Sequence, residues 1–141
     1  DINYGHVLPS LLAKFDGSLE KSKHWVVKLW GDGSARREFL HVDDLAAALL
    51  ICMERYDSEE IINIGTGEDV SIKELAEMIV EVTGYKNDYE WDTSKPNGTP
   101  RKVLNVDKIK SLGWEPKISL REGLESTYEW MKNNRSNLRN I

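Results

Sequence analysis

The sequence predicts an α/β domain built of mixed helices and short strands. Amphipathic stretches place apolar residues three and four positions apart, as on the buried face of a helix. Short runs rich in β-branched and aromatic residues lie between these stretches and are typical of strands. Two S-x-x-E capping boxes, at residues 71–74 and 119–122, mark helix starts independently of the apolar pattern. At 141 residues the chain fits one domain with a proper core.

The composition excludes several classes of protein. Hydrophobic residues make up 40% and charged residues 30% of the chain, which is typical of a globular rather than a disordered sequence. A net charge of −5 argues against a nucleic-acid partner. No apolar run is long enough to span a membrane and no signal peptide is recognisable, so we predict a cytoplasmic location without membrane contact. The histidines and the single cysteine lack zinc-type spacing, so we predict no metal site.

The first predicted helix covers residues 7–15. Pro9 suits its first turn, because the missing N–H would have no helical partner there. This places His6 at the N-terminus of the helix, where the dipole disfavours a protonated imidazole. From the spacing alone, His6 is interpreted as a simple boundary residue. The inward stripe consists of Leu8, Leu11, Leu12 and Phe15.

Two strands are predicted next, at residues 25–30 (WVVKLW) and 37–42 (REFLHV), with a turn at the GDG of residues 31–33 that fits a hairpin. On a strand, Arg36 and Arg37 point to opposite faces, so only one of them can serve a given site. A guanidinium matches phosphate oxygens, and an exposed Trp30 indole would stack on a base or sugar. The spacing is equally consistent with Trp30 in the core and both arginines on the surface.

A helix is predicted over residues 45–55, capped by Asp43 or Asp44. It is apolar on almost all faces, which is typical of a helix between two layers, so we expect a partner layer outside this chain. Cys52 lies on this helix and is interpreted as a small buried hydrophobic residue.

The second half of the chain continues the alternation. A short strand is predicted at residues 61–64 and another at 89–91, with a Pro/Gly-rich loop at 94–102. The two capping boxes open helices that run to Gly84 and to about residue 133, and Asp107 is predicted to cap a short helix ending at Gly113. The inward residues of the two capped helices are Leu75, Ala76, Ile79, Val82, Leu120, Leu124, Tyr128 and Met131.

Two features resemble cofactor signals but are better explained as structure. The GTG of residues 65–67 follows a predicted strand, yet Val70 replaces the third glycine of a dinucleotide fingerprint, and Glu68 and Asp69 would repel a pyrophosphate. Tyr128 and Lys132 have the i, i+4 spacing by which short-chain dehydrogenases hold a lysine under a catalytic tyrosine. Tyr128 also lies on the apolar stripe, so we interpret this pair as core packing.

Four stretches resemble one family. The run WGDGSARREFLHVDDLAAA at residues 30–48 resembles a segment of extended short-chain dehydrogenase/reductases that act on nucleotide sugars. GHVLPSLLAKF at 5–15, NIGTGEDVSIKELAEMI at 63–79 and SKPNGTPRKVLNVDKIKSLGWEP at 94–116 narrow the resemblance to the GDP-L-fucose synthase family. The similarity covers nearly the whole chain to about residue 134.

The resemblance implies that cofactor binding and substrate binding lie in different domains of the full-length protein. In that family an N-terminal Rossmann domain binds NADP, supplies the Ser, Tyr and Lys of reduction and the Cys of epimerisation, and forms the homodimer. The chain is therefore expected to be the C-terminal, substrate-binding part, with the Rossmann domain largely missing. Residues 1–134 would be the nucleotide-sugar binding fragment and 135–141 a polar tail. Such a fragment is expected to be inactive, with NADP bound mainly by the missing domain.

The resemblance also assigns roles to five residues. His6 matches the histidine that acts as acid/base in C3/C5 epimerisation and lies near the cofactor. Lys14, Trp30 and Arg37 match positions that contact the GDP-sugar. Asn97 stands where relatives often carry Asp, at a position expected to hydrogen-bond guanine or ribose of the substrate. Two alternatives remain open, which are another nucleotide-sugar epimerase, dehydratase or reductase and a non-catalytic nucleotide-sugar binding module.

Overall fold

The computed structural model describes residues 6–19 and 25–135. Helices and short strands alternate along this part of the chain, as predicted. The elements, in chain order, are α1 (Val7–Asp16), β1 (Val27–Trp30), β2 (Arg36–Arg37), α2 (Val42–Arg55), β3 (Val70–Ser71), α3 (Ile72–Thr83), β4 (Tyr89–Asp92), β5 (Arg101–Lys102), α4 (Asp107–Ser111) and α5 (Leu120–Asn133).

The strands form two small sheets rather than the predicted hairpin. In the first, β1 and β4 run parallel, with Val27 opposite Tyr89 and Trp30 opposite Asp92. In the second, β2 lies between β3, to which it is antiparallel, and β5, to which it is parallel. The hairpin prediction is wrong because the GDG turn carries the chain from one sheet to the other. The second predicted strand, 37–42, is also too long, since only its first residue is in β2 and its last begins α2.

The main core is formed where α1 and α5 pack on α3 beside the β1–β4 sheet. Phe15 is completely buried at its centre, and its ring meets Tyr85 and Tyr89 edge-to-face at centroid distances of 5.1 and 5.7 Å. Such ring pairs contribute beyond the area they bury. The predicted inward stripes of these three helices are confirmed, although Leu8, Val82 and Leu120 are only partly buried. The fully or largely buried members are Leu11, Leu12, Phe15, Leu75, Ala76, Ile79, Leu124, Tyr128 and Met131.

Both capping boxes are present. The Ser71 hydroxyl accepts a hydrogen bond from Glu74 N at 3.1 Å, and the Glu74 carboxylate accepts one from Ser71 N at 2.7 Å. Gly84 ends α3 in the left-handed conformation, with φ 71°, which a glycine adopts without strain. The same reciprocal pair, between the Ser119 and Glu122 positions, opens α5.

The predicted cap of α2 is wrong. His41 is the N-cap, and its Nδ1 accepts a hydrogen bond from Asp43 N at 3.2 Å. Asp44 is buried, and its carboxylate instead accepts hydrogen bonds from the backbone N–H groups of Lys117 and Ile118, at 2.9–3.1 Å. Asp44 therefore ties the start of α2 to the segment before α5, a connection between distant segments that no local pattern indicates.

Two further predictions need correction. Residues 61–64 form no strand; Ile61 is 87% exposed, and within the described structure this segment pairs with no other strand. Asp107 is the first residue of α4 rather than its cap, and its N–H donates to the Asn105 side chain. Of the predicted polar tail, Arg135 forms an ion pair with Asp16 at 2.8 Å, and residues 136–141 lie outside the described part.

The outer face of α2 is apolar and exposed. Ala48 is buried against a second core cluster with Val106, Ile109 and Trp114, and Cys52 is half-buried beside it. The exposed apolar residues of α2 are Val42, Leu45, Leu49, Leu50 and Met53. This agrees with the predicted all-round apolarity of the helix. None of the described helices is both long and apolar enough to cross a bilayer.

We expect this α2 face to make the isolated chain self-associate, because contiguous exposed apolar surface is removed from water on association. The double substitution Leu49→Glu/Leu50→Glu should shift the chain towards monomer in sedimentation velocity runs over a range of concentrations. Trp130→Glu, which changes an exposed apolar residue on α5, is the matched control and should leave the association unchanged. A wild-type chain that stays monomeric at every concentration contradicts the prediction.

Candidate functional site

The two sheets bring together the two loops that the sequence singled out. The β1–β4 ladder places the end of β1 beside the start of the 94–102 loop, and the β2–β5 ladder places Arg36 and Arg37 opposite Arg101 and Lys102. Arg36 N also donates to the Pro100 carbonyl oxygen at 2.8 Å. The segments 30–37 and 94–102 therefore run side by side and form one surface.

Asn97 fastens these loops to each other. Its Oδ1 accepts a hydrogen bond from Asp32 N at 2.8 Å, and a Cβ on Gly31 would lie 2.1 Å from the same oxygen. Gly31 is also held at φ 78°, so both the space and the backbone require glycine. Hydrogen bonds from Ser34 and then Asn97 lower the pKa of the Asp32 carboxyl. Asn97 was predicted to contact substrate, and its carbonyl oxygen already has a partner within the chain.

Trp30 lies at the end of β1 with its side chain on the solvent side. The residue is 50% exposed, so of the two alternatives left open by the spacing, the exposed one is correct. Lys95, from the adjoining loop, places its Nζ 5.8 Å from the centroid of the indole ring. This is cation–π distance, and the arrangement combines a flat apolar face with a positive charge.

The two adjacent arginines have different surroundings. Arg36 pairs with Asp69, with its Nε 2.5 Å from Asp69 Oδ1. Arg37 donates from Nη1 to the Arg36 carbonyl oxygen at 2.7 Å, and its other terminal nitrogen lies against Gly98. Arg37 lines a surface cleft that Arg36 does not reach, as the prediction of opposite faces requires.

This cleft, of about 650 Å³, carries the positive end of the site. The Glu38 carboxylate lies in it but accepts hydrogen bonds from Thr66 N and Leu104 N, at 3.1 and 3.0 Å, and so ties two loops together. Lys102 is exposed and stands opposite Arg37 in the ladder. The pairing that sets Lys102 beside Arg37 is visible only in the strand register and not in the sequence pattern. The cleft is lined by Arg37, Glu38, Arg101, Lys102, Val103 and Leu104.

The remaining two predicted site residues are both on or beside α1. Lys14 donates from Nζ to the Lys28 carbonyl oxygen at 3.2 Å, two residues before Trp30, and burial lowers the pKa of Lys14. It lines a separate cavity of about 490 Å³ beside β1. His6 is the exposed N-cap of α1, and no described hydrogen bond or ion pair joins its imidazole to the other four residues. The fold therefore gathers Trp30, Arg37 and Asn97, sets Lys14 on the adjoining side of β1, and leaves His6 apart.

The two rejected cofactor signals are structural. Tyr128 is buried and donates from its hydroxyl to Asp16 at 3.0 Å, and burial together with that carboxylate raises the pKa of Tyr128 to about 12. Lys132 Nζ lies 5.0 Å from the same ring. A catalytic tyrosine needs a lowered pKa, so the interpretation as core packing is confirmed.

The GTG segment is a turn in which Gly67 has φ 76°. Across the described residues, no group of three or more His, Cys, Asp or Glu side chains is placed to hold a metal.

Comparison with known proteins finds a matching family model and several similar proteins. The model of the NAD dependent epimerase/dehydratase family matches residues 2–65. A putative GDP-L-fucose synthase 2 of Arabidopsis thaliana is 52% identical over 129 residues, covering 92% of this chain and 39% of the relative. A GDP-L-fucose synthase of Escherichia coli is 45% identical, covering 95% and 44%. The crystal structure of a GDP-L-fucose synthetase from Naegleria fowleri bound to NADP superposes with a TM-score of 0.90 at 27% identity, covering 99% of this chain and 44% of that one.

The chain resembles GDP-L-fucose synthases along 92–95% of its length, and its residues 2–65 match the NAD dependent epimerase/dehydratase family. It spans about two fifths of the length of the curated relatives it matches.

The raised pKa of Tyr128 predicts alkaline lability. The folded chain keeps this phenol neutral up to a pKa of about 12, whereas an unfolded tyrosine ionises near its ordinary value of 10. The folded state therefore binds the proton more tightly, and the free energy of unfolding should fall as pH rises from about 10 towards 12. Urea unfolding across this range checks it. Tyr128→Phe should remove this part of the pH dependence, and an unchanged slope in the variant contradicts the assignment.

Proposed function

We propose that this chain is the substrate-binding portion of an NADP-dependent GDP-L-fucose synthase. The full enzyme would convert GDP-4-keto-6-deoxy-mannose to GDP-L-fucose by epimerisation at C3 and C5 and reduction at C4. The observation that best supports this is the convergence of an exposed indole, Trp30, with the Arg37–Lys102 pair across two loops joined by strand ladders. The similarity to GDP-L-fucose synthases along 92–95% of the chain gives independent support.

In this proposal, two parts of the surface bind different parts of the substrate. The Trp30 ring offers a flat face for guanine or ribose, with Lys95 beside it. Arg37 and Lys102 offer a forked and a point positive charge to the two phosphates. Lys14, on the other side of β1, is the further cation assigned to the nucleotide sugar. Asn97 acts in this proposal mainly by holding the loops together, because its carbonyl oxygen is already bonded to Asp32 N.

His6 has the acid/base role in this proposal. Epimerisation removes a proton next to a ketone and returns one to the opposite face, so two groups must flank the sugar. His6 is exposed at the N-cap of α1 and is one of them. The other is the cysteine that the family carries outside the segment represented here.

The described residues do not fit the pyrophosphate of NADP. The GTG turn is followed by Glu68 and Asp69, and the Asp69 carboxylate is occupied by two arginines. NADPH would supply the hydride for C4 when bound to the full-length enzyme. In this proposal it is held mainly by the N-terminal domain, which also forms the homodimer, and this chain is the C-terminal part.

We expect the chain to bind GDP more tightly than UDP or dTDP, measured by calorimetric competition. Arg37→Gln should weaken GDP roughly 10- to 100-fold, the loss of a charge-assisted hydrogen bond to phosphate. Arg121→Gln removes one positive charge from an exposed ion pair with Glu81 on other elements and should leave the affinity unchanged. A preference for UDP favours another nucleotide-sugar epimerase, dehydratase or reductase.

The isolated chain should show no hydride transfer from NADPH to the 4-keto sugar and no tight NADP binding. The reason is that Tyr128 is locked in the core by Asp16 and cannot serve as the acid of reduction. Loss of NADPH absorbance with pure chain and substrate measures this directly, and turnover would overturn the proposal. A gene that encodes only these residues would favour the other alternative function, a non-catalytic nucleotide-sugar binding module.

A further inference from the structure

Asp69 holds two arginines at once. Its side chain is only 5% exposed, in the loop just before β3. Oδ1 accepts a hydrogen bond from Arg36 Nε at 2.5 Å, and Oδ2 accepts one from Arg101 Nε. Arg36 Nη2 also donates to the backbone oxygen of Asp69 at 3.0 Å. One carboxylate therefore connects β2 to β5, and the backbone of the same residue adds a third contact.

The strand register sorts the four cations of these two strands. Arg36 stands opposite Arg101, and Arg37 stands opposite Lys102. Successive residues of a strand point to opposite faces, so Arg36 and Arg101 start from one face and Arg37 and Lys102 from the other, although the Arg101 side chain also borders the cleft. Asp69 occupies the first pair. Glu74, 3.6 Å from Arg36 Nη1, adds a second negative charge on that side.

The β2–β5 pairing is weak without this carboxylate. Each strand contributes only two residues, and all four are positively charged. Like charges directly across a ladder are destabilising, and so short a ladder has few backbone hydrogen bonds to oppose them. Hydrogen bonds from Arg101 and then Arg36 lower the pKa of Asp69, so the carboxylate stays charged through the neutral range.

We propose that Asp69 is a positioning residue for diphosphate recognition. By joining Arg36 to Arg101 across the β2–β5 ladder, it keeps the register that sets Arg37 opposite Lys102 at the cleft. Asp69 itself touches no ligand. The inference rests on the proposed function, since it assigns Arg37 and Lys102 to the diphosphate of the nucleotide sugar.

The direction in which one substitution changes the GDP affinity tests the proposal. Asp69→Asn removes a negative charge close to the cleft, so simple electrostatics predicts tighter anion binding. Positioning predicts the reverse, a GDP affinity weakened about tenfold with guanosine binding unchanged, because only the phosphate contacts depend on the ladder. Calorimetry with GDP and with guanosine measures both. Tighter GDP binding, or an equal loss for both ligands, overturns the proposal, since a general loss of structure would weaken guanosine as well.

Further variants separate the possible causes. Arg36→Gln breaks the same connection at a residue that does not line the cleft. It should reduce the preference for GDP over guanosine in the same way, and it provides the test if Asp69→Asn fails to fold. Glu81→Gln removes a carboxylate from an arginine pair elsewhere and should leave the GDP to guanosine ratio at the wild-type value. If the wild-type chain shows no preference for GDP over guanosine, the proposed function fails and this inference with it. If the wild-type preference persists in both Asp69→Asn and Arg36→Gln, only this inference fails.

Discussion

The parallel pairing of two short basic strands is the constraint on which the site depends. Arg36–Arg37 and Arg101–Lys102 are far apart in sequence, and their register decides which cation faces which. A shift of one residue would exchange the two faces of a strand. A shift of β2 would then bring Arg36 to the cleft and turn Arg37 away. The position of one ladder therefore determines whether Arg37 and Lys102 meet at one cationic surface.

Carboxylates that accept hydrogen bonds from distant segments connect much of the remaining structure. Asp44 accepts from the backbone before α5, Glu38 from two separate loops, and Asp16 from both Tyr128 and Arg135. An acid with several donors satisfies loop N–H groups that would otherwise be buried without a partner. The strands are short and supply few ladder hydrogen bonds. These carboxylates therefore provide connections between segments that backbone hydrogen bonds provide in longer sheets.

The similarity to the NAD dependent epimerase/dehydratase family and the proposed binding role agree with what the described residues provide. The described residues provide a ring face, a cationic cleft and a fully packed core around Phe15. The one tyrosine–lysine pair with a catalytic spacing is used to close that core. Among the described residues, His6 and the apolar outer face of α2 are exposed.

The sequence by itself determined the elements that depend on neighbours three or four residues away. The two capping boxes and the apolar stripes of α1, α3 and α5 were predicted correctly, because hydrogen bonds and packing faces within one helix are local. Resemblance to a family supplied the expected roles of five residues, which stay predictions: His6, Lys14, Trp30, Arg37 and Asn97. The tertiary structure decided the exposure of Trp30, the pairing of Arg37 with Lys102, the use of Asn97 and Asp44 as connectors, and the absence of the predicted hairpin. Each of these depends on a partner distant in sequence, and local propensity carries no information about which distant segment packs or pairs at a given position.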